Sequence, residues 1–165
     1  MATDYYKECE DRLAASLKTL TQFITSDWQV MNGDESGLMK GAKFFIRLHP
    51  GGFSDTSVES GEVTLDWEIE LKIYVKFEEL QKSWDNFRAF RAEVFFKVLQ
   101  HPSLNSITGF AALAGVTSVR IGAGESPVYI VDDPEVADPT PLFISQTLLV
   151  TVRRTKIAIT GGEYA

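Results

Sequence analysis

From Val63 to Phe77 every second residue is apolar: Val63, Leu65, Trp67, Ile69, Leu71, Ile73, Val75 and Phe77. Thr64, Asp66, Glu68, Glu70, Lys72, Tyr74, Lys76 and Glu78 alternate with them. Successive side chains on a strand point to opposite faces, so the pattern predicts one strand with an oily face and a charged face. At roughly 3.3 Å per residue such a strand spans about 50 Å, whereas strands usually stop at about five or six residues. This length predicts a strand that reaches partly beyond the body of the domain, and therefore assembly.

The remaining elements follow from the same kind of pattern. Tyr6, Cys9, Leu13, Leu17, Leu20 and Ile24 recur at three- and four-residue steps, the apolar stripe of an amphipathic helix from about Asp4 to Thr25. Asn32 to Gly41 is a polar connection, and Lys43 to His49 is a short strand. His49-Pro50-Gly51-Gly52 is expected to stop that strand, because proline lacks the N–H and glycine permits turn angles. A mobile loop is then expected over residues 50–61. Glu79 to Gln100 is a second helix, with Trp84, Phe87, Phe90 or Arg91, Val94 and Val98 on one face and Phe95 and Leu99 widening it. His101-Pro102 ends it.

Val116–Ile121 and Val128–Val131 are short strands, joined across Gly122–Pro127 by an expected hairpin turn. Asp132–Pro141 carries three prolines and four acids, and is expected as an extended arm or exposed loop over 132–141. Leu142, Ile144, Leu148, Val150 and Val152 mark another long strand, interrupted by Gln146 and running to about Ile157. Residues 160–165 are expected to fray. Helices segregated from mostly antiparallel strands define an α+β fold: a single domain over 1–165 with one long-stranded sheet and two amphipathic helices on its apolar face.

Composition narrows the function. With 165 residues, 44% hydrophobic and 24% charged, the chain suits one soluble globular domain. A formal net charge of −7 disfavours a grip on phosphate backbones. The single cysteine, Cys9, excludes an internal disulfide and sits on the helical stripe as a structural thiol. The acidic start has no signal-peptide pattern, and no apolar run approaches a membrane span.

No catalytic constellation emerges, so the expectation is a non-enzyme with neither metal nor cofactor. Gly122-x-Gly124 lacks the third glycine and following helix of a dinucleotide loop. His49 and His101 have no partner at metal-ligand spacing. Asp132, Asp133, Glu135 and Asp138 lack the Asp/Asn-Gly loop that organises calcium, which leaves a solvated acidic loop, although a cation shared between subunits would fit. Asp66, Glu68 and Glu70 stand roughly 7 Å apart on one strand face. Facing elements and a cleft would be needed for glycosidase chemistry. A charged surface is the simpler reading, with cross-strand partners available in Arg153, Arg154 or Lys156.

A helix, a β-hairpin with a very long second strand and a loop, a second helix, then strands with an arm: this order resembles the tail terminator (tail completion) proteins of long-tailed bacteriophages. The likeness covers about Asp4 to Ile157 and rests on element order, size and acidity; the break at Gln146 is not part of the pattern. The resemblance implies a virion protein assembled in the host cytoplasm, forming a homo-oligomeric ring, usually hexameric, that caps the tail tube. It implies tail tube protein and a head connector or neck protein as partners, with DNA passing through unbound. On that reading Asp66, Glu68 and Glu70 line the channel, and Phe53, Asp132, Asp133, Glu135, Arg153 and Arg154 meet neighbouring subunits. Another neck or head–tail joining protein, or a small ligand-binding module with a pocket between the second helix and the sheet, are the alternatives.

Overall fold

A computed structural model of the protein describes residues 5–20, 28–32, 42–59, 62–105, 107, 109–110, 115–122 and 124–158. The expected connection at 33–41 and the tail at 160–165 lie outside the described residues, whereas the first helix, expected to run to about Thr25, ends at Leu17 and tightens into a turn over 18–20 through Thr19 N–H to Ser16 O and Leu20 N–H to Leu17 O. The described elements are α1 (Tyr5–Leu17), β1 (Trp28–Asn32), β2 (Phe44–Glu59), β3 (Glu62–Lys76), α2 (Leu80–Leu99), β4 (Val116–Ile121), β5 (Val128–Val131) and β6 (Pro141–Ala158). They form one six-stranded sheet in the order β1-β2-β3-β6-β4, with β5 also paired to β6. Among the described residues only the β1–β2 pair is parallel. Both helices lie on the apolar face, so the fold is α+β as the alternation implies.

The core follows from the two periods meeting. Cys9, Leu13 and Leu17 of α1 and Phe87, Phe90, Val94 and Val98 of α2 bury against Trp67, Ile69, Leu71 and Ile73 of β3 and Leu148, Val150 and Val152 of β6. Glu79 stands at the N-cap of α2 without a side-chain cap bond. The buried Ser83 hydroxyl substitutes for one, accepting from the backbone N–H groups of Glu78 and Glu79 at 2.9 and 3.2 Å. The opposite face holds a second, smaller cluster. Phe45 stacks on Tyr74, its cross-strand partner, at 4.3 Å, and Phe143 meets Phe45 edge-on at 5.3 Å.

Three expectations about the strands change. The long strand does not overhang. β3 is an inner strand with β2 on one side and β6 on the other, and its oily face is buried at both ends, Val63 and Val75. Its 15 residues are used because β2, with 16, and β6, with 18, are at least as long. The loop expected over 50–61 is instead strand as far as Glu59. Pro50-Gly51-Gly52 makes a bulge rather than a stop, with register shifts at Pro50/Phe53 and Phe53/Asp55. A Cβ on Gly51 would lie 2.5 Å from the Glu68 carbonyl oxygen, so only glycine fits. The Tyr6 hydroxyl closes this bulge, accepting from Gly51 N–H and donating to that same Glu68 carbonyl, each at 2.9 Å. The Gly51 N–H and the Glu68 carbonyl at the bulge are thereby both satisfied from α1.

The hairpin expected at Gly122–Pro127 is absent as well. β4 and β5 each pair with β6, at Val150–Arg154 and Pro141–Ser145, and so run in line along one edge. The linker keeps to that edge through Gly122 N–H to Leu149 O and Glu125 N–H to Thr147 O. Gln146, the interruption in the sequence pattern, sits in this gap and donates to Glu125 O at 2.8 Å. Of the two forms expected for 132–141, extended arm or exposed loop, the structure has the exposed loop, joining β5 to β6 as a hairpin. It is folded back on itself: Asp132 N–H bonds Thr140 O, and the Asp132 carboxylate accepts from the N–H groups of Asp133 and Thr140.

Candidate functional site

Alternation places Asp66, Glu68 and Glu70 together on the sheet face away from the helices. Register then separates their roles. Asp66 lies opposite Arg153 of β6, and Arg120 of β4 comes in from the next strand. Arg153 donates through Nε and a terminal nitrogen to the two Asp66 oxygens, both at 2.7 Å, and Arg120 stands 3.5 Å away. This two-pronged geometry is the strong form of a charge-assisted bond. It holds the Asp66 carboxyl below its ordinary pKa: the Arg153 hydrogen bonds outweigh the opposing effect of burial, and the charges of Arg153 and Arg120 add to them.

Asp66 is thus a buried clamp across three strands. It is not an open wall charge, and the cluster it anchors carries two cations to one anion. Of the expected acidic row, Glu68 and Glu70 are both half-buried, with Lys72 3.5 Å from Glu70. The pairing of Asp66 with Arg153 is among those the sequence anticipates. Arg120 was missed; its only signal is a polar position at alternating spacing on β4.

The expected contact residues also separate. Arg154 is buried on the helix side and reaches Glu8 of α1 at 3.3 Å, so it holds the first helix to the last strand and offers no surface. Arg153 serves the Asp66 clamp while remaining partly exposed. Asp132, Asp133 and Glu135 are exposed, but the carboxylates of Asp132 and Asp133 are engaged within the hairpin loop, where Asp133 accepts from Glu135 N–H. Phe53 lies in β2 opposite Trp67, between the two register shifts, and its side chain lies outside the described residues.

Two surface features stand out instead. One is backbone. β1 pairs only with Phe44–Leu48, so among the described residues no strand flanks Pro50–Glu59 on the side away from β3. An exposed strand edge is a template for another strand. The other is apolar. On α2, Phe96 is 76% exposed and Leu99 49%, beside Leu20 in an open cleft of about 560 Å³ with Glu93, Lys97 and Gln100.

The reactive side chains have structural surroundings. Burial pushes the Cys9 thiol up to about 12, with Arg154 and Arg12 only partly offsetting it. Labelling of the native protein by iodoacetamide at pH 8 is expected to be slower than that of the urea-unfolded chain by about a hundredfold or more, because the thiolate is the nucleophile. Equal rates by mass spectrometry would overturn that burial. His49 faces Glu70 across the β2–β3 ladder, and His101 follows α2. Among the described residues no three His, Cys, Asp or Glu side chains gather as metal ligands, and no helix is long and apolar enough to cross a membrane. No family model matches the chain, and no curated protein matches its sequence.

Proposed function

We propose that this chain is a structural virion protein of the tail terminator kind. Copies join head to tail into a ring, usually of six, that caps the tail tube, ends its growth and meets the head connector or another neck protein. The observation that carries the reading is the open edge of β2 from Pro50 to Glu59, next to a sheet whose central strand is already satisfied on both sides. Such an edge adds a strand from a neighbour through main-chain hydrogen bonds. A head-to-tail contact of this kind closes into a ring when its rotation closes. Glu68 and Glu70 then remain as channel-wall candidates that keep DNA sliding by like-charge repulsion, in a chain of net charge −7.

The test is the mass and shape of the purified chain. Light scattering and negative-stain micrographs are expected to show rings, either for the protein alone or once tail tube protein is added. A monomer under both conditions would remove the ring. The competing reading, a ligand-binding module, expects a pocket between α2 and the sheet; the cleft at Phe96 is lined by no strand residue and is open, whereas small-molecule sites usually bury most of their ligand. A monomer that gains thermal stability with a small molecule would select that alternative.

A further inference from the structure

Resting on the ring reading, a seam between copies can be assigned. We infer that the open edge of β2 in one copy receives the end of β6 from the next copy, in parallel pairing. β2 and β6 are both antiparallel to β3, so they run in the same direction, and their far ends, Glu59 and Ala158, lie at the same end of the sheet. The outer side of β6 is covered by β4 only as far as Arg154, with one further bond from Thr155 N–H to Gly115 O. Among the described residues, Lys156–Ala158 therefore has β3 on one side and no strand on the other. Copies related by a simple rotation would bring these two open edges together without reversing either strand, so the sheet of one continues into the next.

Charge chooses between this seam and its main rival. Pro50–Glu59 contains two acids, Asp55 and Glu59, and no base. Arg153–Ala158 contains three bases, Arg153, Arg154 and Lys156, and no acid. Two β2 edges meeting about a two-fold axis would set acid against acid, and like charges across a strand pair destabilise it. A basic β6 end removes that repulsion. Arg153 and Arg154 are already held by Asp66 and Glu8, so they contribute field rather than new pairs, which leaves Lys156 as the residue to reverse. Pro50 cannot donate and Gly51 N–H is taken by Tyr6, so the receiving stretch is Phe53–Glu59.

Two variants test the seam. In the first, Asp55→Lys with Glu59→Lys makes the β2 edge basic; in the second, Lys156→Glu reverses the β6 end. Each alone is expected to weaken ring assembly roughly tenfold or more, read as dissociation to smaller species by sedimentation. Mixed one to one, they are expected to reassemble, because each basic β2 edge then faces an acidic β6 end and each native edge faces its native partner. Recovery on mixing also shows that both chains are folded. A wild-type ring that neither variant disturbs would overturn this seam and leave the ring standing. Dissociation of both variants without recovery on mixing, with native circular dichroism retained, would overturn it too. A wild-type chain that never forms rings would overturn the ring reading itself.

Discussion

Phe90→Ala is expected to cost about 3–5 kcal/mol of unfolding free energy, read as a lower urea midpoint with an unchanged slope. Phe90 is 1% exposed and stands edge-on to Phe44 of β2 at 5.5 Å, one of the points where α2 grips the sheet. Removing its ring loses the transfer energy of the buried carbons and leaves a cavity that neighbouring side chains fill only in part. Against a usual total of roughly 5–15 kcal/mol, that is a large share. Phe96→Ser, on the same helix but outside the core, is the control and should stay within about 0.5 kcal/mol of wild type. Equal losses at the two positions would mean that the helix presents a different face to the sheet.

Asp66→Ala should cost about 2–3 kcal/mol at neutral pH. Breaking a buried pair typically costs about 3–5 kcal/mol; the lower figure applies here because Arg153 is 39% exposed and partly regains water. Arg153 and Arg120 would also be left facing each other without their shared counter-ion. Asp66→Asn keeps an acceptor for Arg153 and should lose less. The pH dependence carries its own sign. The folded pKa of Asp66 is depressed, so its contribution is fully present above the unfolded value of about 3.9 and is lost as pH falls through the folded value. Wild-type stability should therefore fall more steeply than that of Asp66→Ala below about pH 4. Parallel curves in urea melts across that range would show that Asp66 is not held as described.

Much of the scaffold was legible because its elements are long and regular. β3 and α2 carry their period over enough residues that their ends came within a residue or two. β1 was not legible: five residues, Trp28–Asn32, are too few to show alternation, and a parallel edge has no turn to announce it. The continuation of β2 was hidden for a different reason. Pro50-Gly51-Gly52 has the local chemistry of a stop, but the ladder with β3 resumes beyond it and absorbs the misfit as a bulge. Likewise, two short strands around a glycine-rich link look like a hairpin until a third strand, β6, pairs with both.

The acidic row shows the limit most clearly. Spacing along β3 placed Asp66, Glu68 and Glu70 on one face, and that arrangement holds. Which of them is neutralised depends on Arg120 and Arg153, brought alongside from other strands by a register that no local window contains. Arg154 makes the same point: on sequence it belongs with its neighbour Arg153, yet a one-residue step turns it to the other face and into contact with α1.

The place of β6 inside the sheet has a consequence for how the chain is made. Until residues 141–158 leave the ribosome, β3 lacks one of its two neighbours and Glu8 lacks Arg154, its partner 146 positions later. The nascent protein therefore carries a long unfinished ribbon from the completion of β3 at Lys76 until β6 is made, when accidental pairing with other chains is most dangerous. Contacts so distant in sequence also slow the final closure, which makes this a chain whose yield should improve at low expression temperature.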